Sequence, residues 1–252
     1  MFSDKSIQNT AAKFFQSKFG NSVHVKVIKN YIRLQHHDKI CKVRLFKSHA
    51  PLTADECLLI AVDQYKNKKE IVAQIVAAQL GLNKRVFARK CVLKKINLHN
   101  AEQFFEKHHL MGYAKSAYHY GLFKDDELLA AAAFSKGRKM RRLPEHLRSF
   151  ELIRFCSKGG TTVTGGLSKL IAHFSEEKKP GDIMTYIDKQ YSRGSSYLSC
   201  GFTIHSHTEK QFFLVHKKTN KRTTYMEEYN TKEFYCVENS GNLKLVLHVA
   251  EQ

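Results

Sequence analysis

The chain has 252 residues, 42% of them hydrophobic, so it is long enough to bury a sizeable core and too apolar to be disordered throughout. Its 42 Lys and Arg against 23 Asp and Glu leave a formal charge of +19, which favours a polyanionic partner, DNA or another nucleic acid before an anionic membrane. No apolar run approaches the ~20 residues of a membrane span, and the start Met1-Phe2-Ser3-Asp4-Lys5 lacks the apolar stretch of a signal peptide.

The six cysteines lie far apart with no C-x-x-C pair, as expected of reduced thiols in a cytoplasmic protein. In chain order, Ile7, Ala11, Phe14, Phe15 and Phe19 follow helical spacing, and Gly20 can end that helix. Val23, Val25 and Val27 alternate with polar neighbours, as a half-buried strand requires. Strands over residues 31–34 and 40–46 flank the polar His36-His37-Asp38-Lys39, which predicts a small antiparallel meander, and residues 58–62 form a further strand. Ile71, Val72, Ile75, Val76 and Leu80 make one stripe of a helix over residues 68–80, with Gly81 at its C′ position. Pro51, Pro144 and Pro180 each predict a loop or boundary. A basic stretch without an acid follows, Lys84, Arg85, Arg89, Lys90, Lys94 and Lys95. The domain boundary is therefore placed near Asn83. A small α+β subdomain with a linker helix occupies residues 1–83, and a second domain occupies residues 84–252.

In that second domain Asn100 with Gln103 resembles a capping box that opens a helix. Residues 118–123 and 128–134 flank Lys124-Asp125-Asp126-Glu127, a hairpin signal. A strand over 150–156, a helix over 165–177, a strand over 183–187 and a short helix over 195–199 come next. Residues 212–215 and 223–226 pair as late strands around a basic turn at 217–222.

Several positions carry chemistry. The turn containing Thr161, Thr162, Val163, Thr164, Gly165 and Gly166 opens a helix, whose amides at the positive end of the dipole suit a pyrophosphate or a DNA phosphate. A plain helix start that needs Gly for close packing is the alternative. Asp188 ends an apolar strand, where catalytic carboxylates are common, although it could instead pair with Arg154 or Lys189. Ser168 and His109 are further candidates, His109 with the alternative of capping helix carbonyls. Lys136, Arg138, Lys139, Arg141, Arg142 and Arg148 form the densest basic segment, in a connection suited to following a phosphate backbone. Lys217, Lys218, Lys221 and Arg222 form a second, and Arg89 belongs to the same class. No zinc-like spacing, P-loop or G-x-S-x-G occurs, so no metal site is assigned. Asp38, Asp55, Glu56, Asp63 and Glu70 are the carboxylates on which a residual metal-dependent endonuclease would have to draw.

The order helix, hairpin, strand, glycine-rich turn, helix, strand, short helix, strand from Asn100 onward is similar to that of the GNAT acetyltransferases. Arg193-Gly194-Ser195-Ser196-Tyr197-Leu198-Ser199-Cys200-Gly201-Phe202 looks like the segment in which a small-residue helix of that superfamily carries a Tyr and ends in Gly-Phe. A nearer likeness rests on Phe87-Ala88-Arg89-Lys90-Cys91, His109-Leu110-Met111-Gly112, Tyr120-Gly121-Leu122-Phe123, Glu151-Leu152-Ile153-Arg154-Phe155-Cys156, Gly165-Gly166-Leu167-Ser168-Lys169-Leu170 and Tyr186-Ile187-Asp188. These resemble the C-terminal region of Hef-like phage homing endonucleases and the Mom family of phage DNA-modification proteins, over residues 84 to 230. The resemblance implies an α+β fold, a GNAT-like mixed sheet flanked by helices. It also implies an acyl-CoA such as acetyl-CoA as cofactor, held in part at the Gly165 turn, with its thioester between splayed strands near 150–156 and 183–187. Asp188 would then deprotonate an attacking amine and Tyr197 would protonate the departing thiolate. A DNA-binding module without catalysis remains the other reading, and the oligomeric state is not legible.

Overall fold

The structure is a computed structural model that describes residues 4–49 and 57–249. Pro51, Asp55 and Glu56 lie outside the described residues. The chain divides into two compact units, neither continuous in sequence. The first unit comprises Met1–Leu82, Asp188–Ser192 and Thr208–Asn242, and the second Asn83–Ile187, Arg193–His207 and Leu243–Gln252.

The first unit opens with helix α1 (Asp4–Phe19), which buries Ala11 and Phe15 completely. The expected meander follows: β1 (His24–Ile28), β2 (Tyr31–His36) and β3 (Lys39–Phe46) pair antiparallel, and their alternate residues Ile32, Leu34, Val43 and Leu45 face inward. Strand β4 (Cys57–Ala61) pairs parallel to β3. Helix α2 (Val62–Gln79) starts well before the apolar stripe does. It is kinked at Lys68 (φ −135°, ψ 38°), so the expected start at residue 68 marks the kink instead. Gly81, at φ +70°, provides the left-handed stop.

The second unit begins with β5 (Lys84–Phe87) and β6 (Val92–Lys95). Helix α3 (Leu98–His108) is capped by Asn97, whose side chain accepts from the Asn100 amide at 2.8 Å. Asn97 rather than Asn100 is thus the N-cap, because Asn100 already sits in the first turn. Strands β7 (Tyr118–Lys124) and β8 (Glu127–Phe134) form the hairpin, with Asp125 and Asp126 at positive φ in its turn. The alanine run of β8 is read by period two. Ala130 and Ala132 join the cluster under helix α4 (Gly166–Lys178), while Ala131 and Ala133 lie under Phe104 and Phe105 of α3. The Phe134 and Phe174 rings stack at 3.8 Å.

Between β9 (Ser149–Ser157) and α4 the expected glycine-rich turn is shorter than anticipated. Thr161–Thr164 form a strand, β10, parallel to β5. Strand β11 (Asp182–Asp188), the short helix α5 (Ser195–Leu198) and β12 (Thr203–His207) follow.

Residues 208–242 pack with the first unit rather than with residues 84–207. Strands β13 (Phe212–His216), β14 (Arg222–Thr224) and β15 (Phe234–Glu238) form a sheet whose Val215 and Val237 pack on Phe46, Leu59 and Ala61. Strand β16 (Asn242–His248) then completes a seven-stranded mixed sheet in the order β12-β16-β11-β9-β8-β7-β6. With α3 on one face and α4 on the other, this is the helix-flanked mixed sheet that the GNAT resemblance implies.

Candidate functional site

The central irregularity of the seven-stranded sheet lies between β9 and β11. These parallel strands pair over three positions only: Asp182 opposite Ser149, Ile183 opposite Phe150 and Met184 opposite Glu151. The Thr185 hydroxyl then donates to the Leu152 carbonyl at 2.9 Å, and the ladder ends there. Both strands continue, β9 still paired with β8 as far as Ser157. Past Leu152, β9 therefore presents backbone groups to a wedge instead of to a neighbouring strand, and an extended polar chain can satisfy them.

Helix α4 starts nearby in sequence, from Gly165 at φ +76°, a conformation that penalises any side chain. Gly166 is required for a different reason: a Cβ there would press on Val163 at 3.1 Å. No side chain caps the helix, so its first amides remain available. A groove of about 580 Å³ beside this helix start is lined by Phe87, Ala88, Arg89, Thr164, Gly165 and Lys169. The Lys169 ammonium donates to the carbonyls of Ala88 (3.1 Å) and Cys91 (2.6 Å). Among the described residues its charge meets neutral carbonyl oxygens, so helix dipole and ammonium together favour an anion. Thr162 and Thr164 are exposed on β10, whereas Val163 is 6% exposed and its side chain belongs to the core.

Tyr197 sits in α5 and packs edge-on to Phe202 at 5.7 Å between ring centroids. Burial pushes its hydroxyl far above the usual phenol range, with Cys156 and Cys200 adding to the shift, so the group stays protonated. The Ser168 hydroxyl, in the first turn of α4, lies 3.1 Å from the Cys200 thiol. His109 is spent locally: its amide caps α3 on the Phe105 carbonyl at 2.8 Å, and its Nδ1 accepts from the Met111 amide at 3.2 Å.

Asp188 closes β11 and groups with the first unit, where its Oδ1 accepts from the Gln190 amide at 2.9 Å. Burial raises its pKa to about 6, against the lowering effects of that hydrogen bond, Arg222 and Lys189. It does not pair with Arg154, whose guanidinium donates to the carbonyls of Gly112 and Ile153, each at 2.9 Å.

Each of the two basic segments contains an arginine held by a buried carboxylate. Arg142 binds the fully buried Asp182 through Nη2 (2.6 Å) and Nε (3.1 Å). Arg222 binds Asp63 through Nε (2.5 Å) and Nη2 (3.2 Å), with Asp63 1% exposed. Each of these two guanidinium groups is held by a carboxylate that would otherwise be stranded. Arg148 is likewise turned onto the carbonyls of Glu145 and Leu147. Lys139 makes only an exposed pair with Glu145 at 3.2 Å, and Lys217 donates to the Thr231 carbonyl. Lys136, Arg138, Arg141 and Lys218 are exposed, and none forms an ion pair among the described residues.

Two of the carboxylates on which a nuclease would draw are already engaged in the first unit. Asp63 is committed to Arg222 and Glu70 pairs with Lys18 at 2.6 Å. Among the described residues no group of three or more His, Cys, Asp or Glu side chains could share a metal ion. Sequence reasoning missed Phe87 and Lys169 as lining residues of the groove beside the start of α4, although a Phe set between Arg85 and Arg89 was there to be read. Among the described residues no helix is long and apolar enough to cross a membrane.

No family model matches the sequence, and no curated protein matches it. Among solved structures, the chain is similar to an acetyltransferase of Bacillus subtilis in complex with CoA (TM-score 0.41, 14% identity, 64% of this chain and 100% of that one). It is also similar to the ribosomal-protein-S18-alanine N-acetyltransferase of Escherichia coli (TM-score 0.42, 9% identity, 64% and 96%). A GNAT family acetyltransferase of Elizabethkingia anophelis with acetyl-CoA bound gives a TM-score of 0.39 at 13% identity, over 64% and 99%. The GNAT-like fold rests on the strand order and the interrupted β9–β11 ladder rather than on these likenesses.

Proposed function

We propose that the protein is an acyl-CoA-dependent N-acyltransferase whose acceptor is an amine on DNA, of the Mom type. The observation that carries the reading is the ladder that stops after three pairs between β9 and β11, in the unit that also holds the uncapped start of α4. A wedge with a free strand edge fits the amides of a pantetheine arm. The Gly165 turn, the following amides and Lys169 fit a pyrophosphate. A bound acyl-CoA supplies a thioester carbonyl to be attacked and a thiolate to leave.

The chain's own residues supply the proton chemistry. Asp188 is deprotonated above about pH 6 and accepts the proton of an incoming amine. Tyr197, held protonated by burial, is the donor for the departing sulfur. If the acceptor is a base within a duplex, it must be flipped out or presented single-stranded.

The test is incubation of DNA with radiolabelled acetyl-CoA, together with calorimetric titration of CoA. Transfer that Asp188→Asn lowers by about 10²-fold or more supports the reading. Absence of both transfer and CoA binding removes it. The unpaired, exposed Lys136, Arg138 and Arg141 favour a second reading, a nucleic-acid-binding module without catalysis. Salt-sensitive DNA binding that persists in a chain inert toward CoA would establish that alternative.

A further inference from the structure

We propose that the exposed face of the β5–β10 pair is a docking strip for single-stranded nucleic acid, with Phe87 as the platform on which one base stacks. The inference rests on the nucleic-acid partner proposed above and adds where, and in which strand form, that partner is held.

The strip follows from strand alternation. Val86 of β5 points into the core, so Arg85 and Phe87 point out, and the 3-10 turn Ala88–Lys90 that follows buries Ala88 and leaves Arg89 and Lys90 exposed. On β10, Val163 is buried opposite Val86, which leaves Thr162 beside Arg85 and Thr164 beside Phe87 on the outer face. Phe87 is 47% exposed and takes no part in the core cluster, so folding does not account for a phenyl ring there. The Arg89 guanidinium lies 5.2 Å from the centre of that ring.

Arg85, Arg89 and Lys90 are exposed, and none forms an ion pair among the described residues. The Thr162 hydroxyl accepts from the Asn83 amide at 3.3 Å, which frees its own hydrogen to donate outward. An exposed ring among unpaired cations and hydroxyl donors matches a base beside its phosphates. Duplex DNA hides its base faces, whereas a single strand offers them. A purely acidic partner would satisfy the cations and leave the ring in water.

The chain contains no tryptophan, so Phe87→Trp installs the only tryptophan at the platform, excited selectively over the 11 tyrosines. Its emission is expected to be quenched on titration with a single-stranded oligodeoxynucleotide, and to change little with the duplex of the same sequence. Phe87→Ala should weaken oligonucleotide binding about tenfold. Arg85→Ala should flatten the salt dependence by roughly 0.7 in log–log slope. Thermal melting of each variant establishes folding, and Phe87→Leu separates loss of stacking from loss of bulk. Emission that does not respond to saturating oligonucleotide, or unchanged affinity in Phe87→Ala, overturns the strip while leaving nucleic-acid binding in place. Failure of the unaltered chain to bind any oligonucleotide overturns both. If Phe87→Ala weakens CoA binding and leaves the oligonucleotide unaffected, the ring serves the donor and the strip is equally overturned.

Discussion

The second unit holds Arg142 on Asp182, and the first holds Arg222 on Asp63. In both, one guanidinium of a basic run is drawn onto a carboxylate that is almost wholly buried, while neighbouring cations of the run stay in water. The pairs differ in how completely they are enclosed. Arg222 keeps 18% of its side-chain exposure and engages both carboxylate oxygens, whereas Arg142 keeps 33% and leaves Asp182 Oδ1 without a partner. The contrast teaches that a dense basic segment is not a single surface. A buried acid elsewhere in the chain holds one member of the run, while other members stay exposed.

Breaking the pairs separately measures that difference. Arg222→Ala strands Asp63 and should cost about 3–5 kcal/mol in urea unfolding. Asp63→Leu combined with Arg222→Met should restore most of the loss, because the penalty is the lone buried charge. A double variant no better than the single one would refute that account. Arg142→Ala should cost less, about 2–3 kcal/mol, since its guanidinium is partly hydrated already and Asp182 is already half-satisfied.

The remainder of the basic segment should behave in the opposite way. Reversing Lys136, Arg138 and Arg141 to Glu should move stability by no more than about 0.5 kcal/mol. It should weaken DNA binding across sequences and flatten its salt dependence, read by titration at several salt concentrations. Undiminished affinity would remove this segment from the interface.

Asp188 sharpens the comparison from another side, because it senses the Arg222 charge without any direct bond between them. Its folded pKa is raised, so the folded state binds more protons between the unfolded value near 4 and about 6. Its contribution to stability is therefore present at low pH and lost as pH rises through that window. Any transferase activity that uses it as a base should rise through pH 6, and the limb should vanish in Asp188→Asn. Glu177 has the opposite sign. Hydrogen bonds from Lys95 and Lys178 lower its pKa to about 2, so its contribution is present above the unfolded value near 4 and lost as pH falls toward 2. Acid unfolding of Glu177→Gln should show a weaker pH dependence across that range.

Much of the fold was legible because periodicity reports burial. The meander, the β7–β8 hairpin, α4 with its Leu167, Leu170, Ile171 and Phe174 face, and the short helix at Tyr197 all stand where alternation and spacing put them. Strand β12 was not readable, since all five of its residues are exposed and nothing in it alternates. Strand β10 was obscured because Thr161-Thr162-Val163-Thr164 beside two glycines reads equally as a turn, and only the partner strand β5 makes it a ladder. In the candidate site the Gly165 helix start was visible from local chemistry. The wedge was expected from family likeness alone, because nothing in either strand records where its pairing with the other ends.

Local sequence thus determined the helices, the alternating strands, the positive charge and the glycine at the head of α4, since each depends on residues close in the chain. Tertiary structure alone decided that residues 208–242 fold with the N-terminal unit, and that the β9–β11 ladder ends at Leu152. It also decided that Arg142 and Arg222 are held by buried carboxylates while Lys136, Arg138, Arg141 and Lys218 of the same runs stay exposed. Those outcomes depend on partners 40 and 159 residues away, where the buried carboxylate rather than the basic run makes the selection.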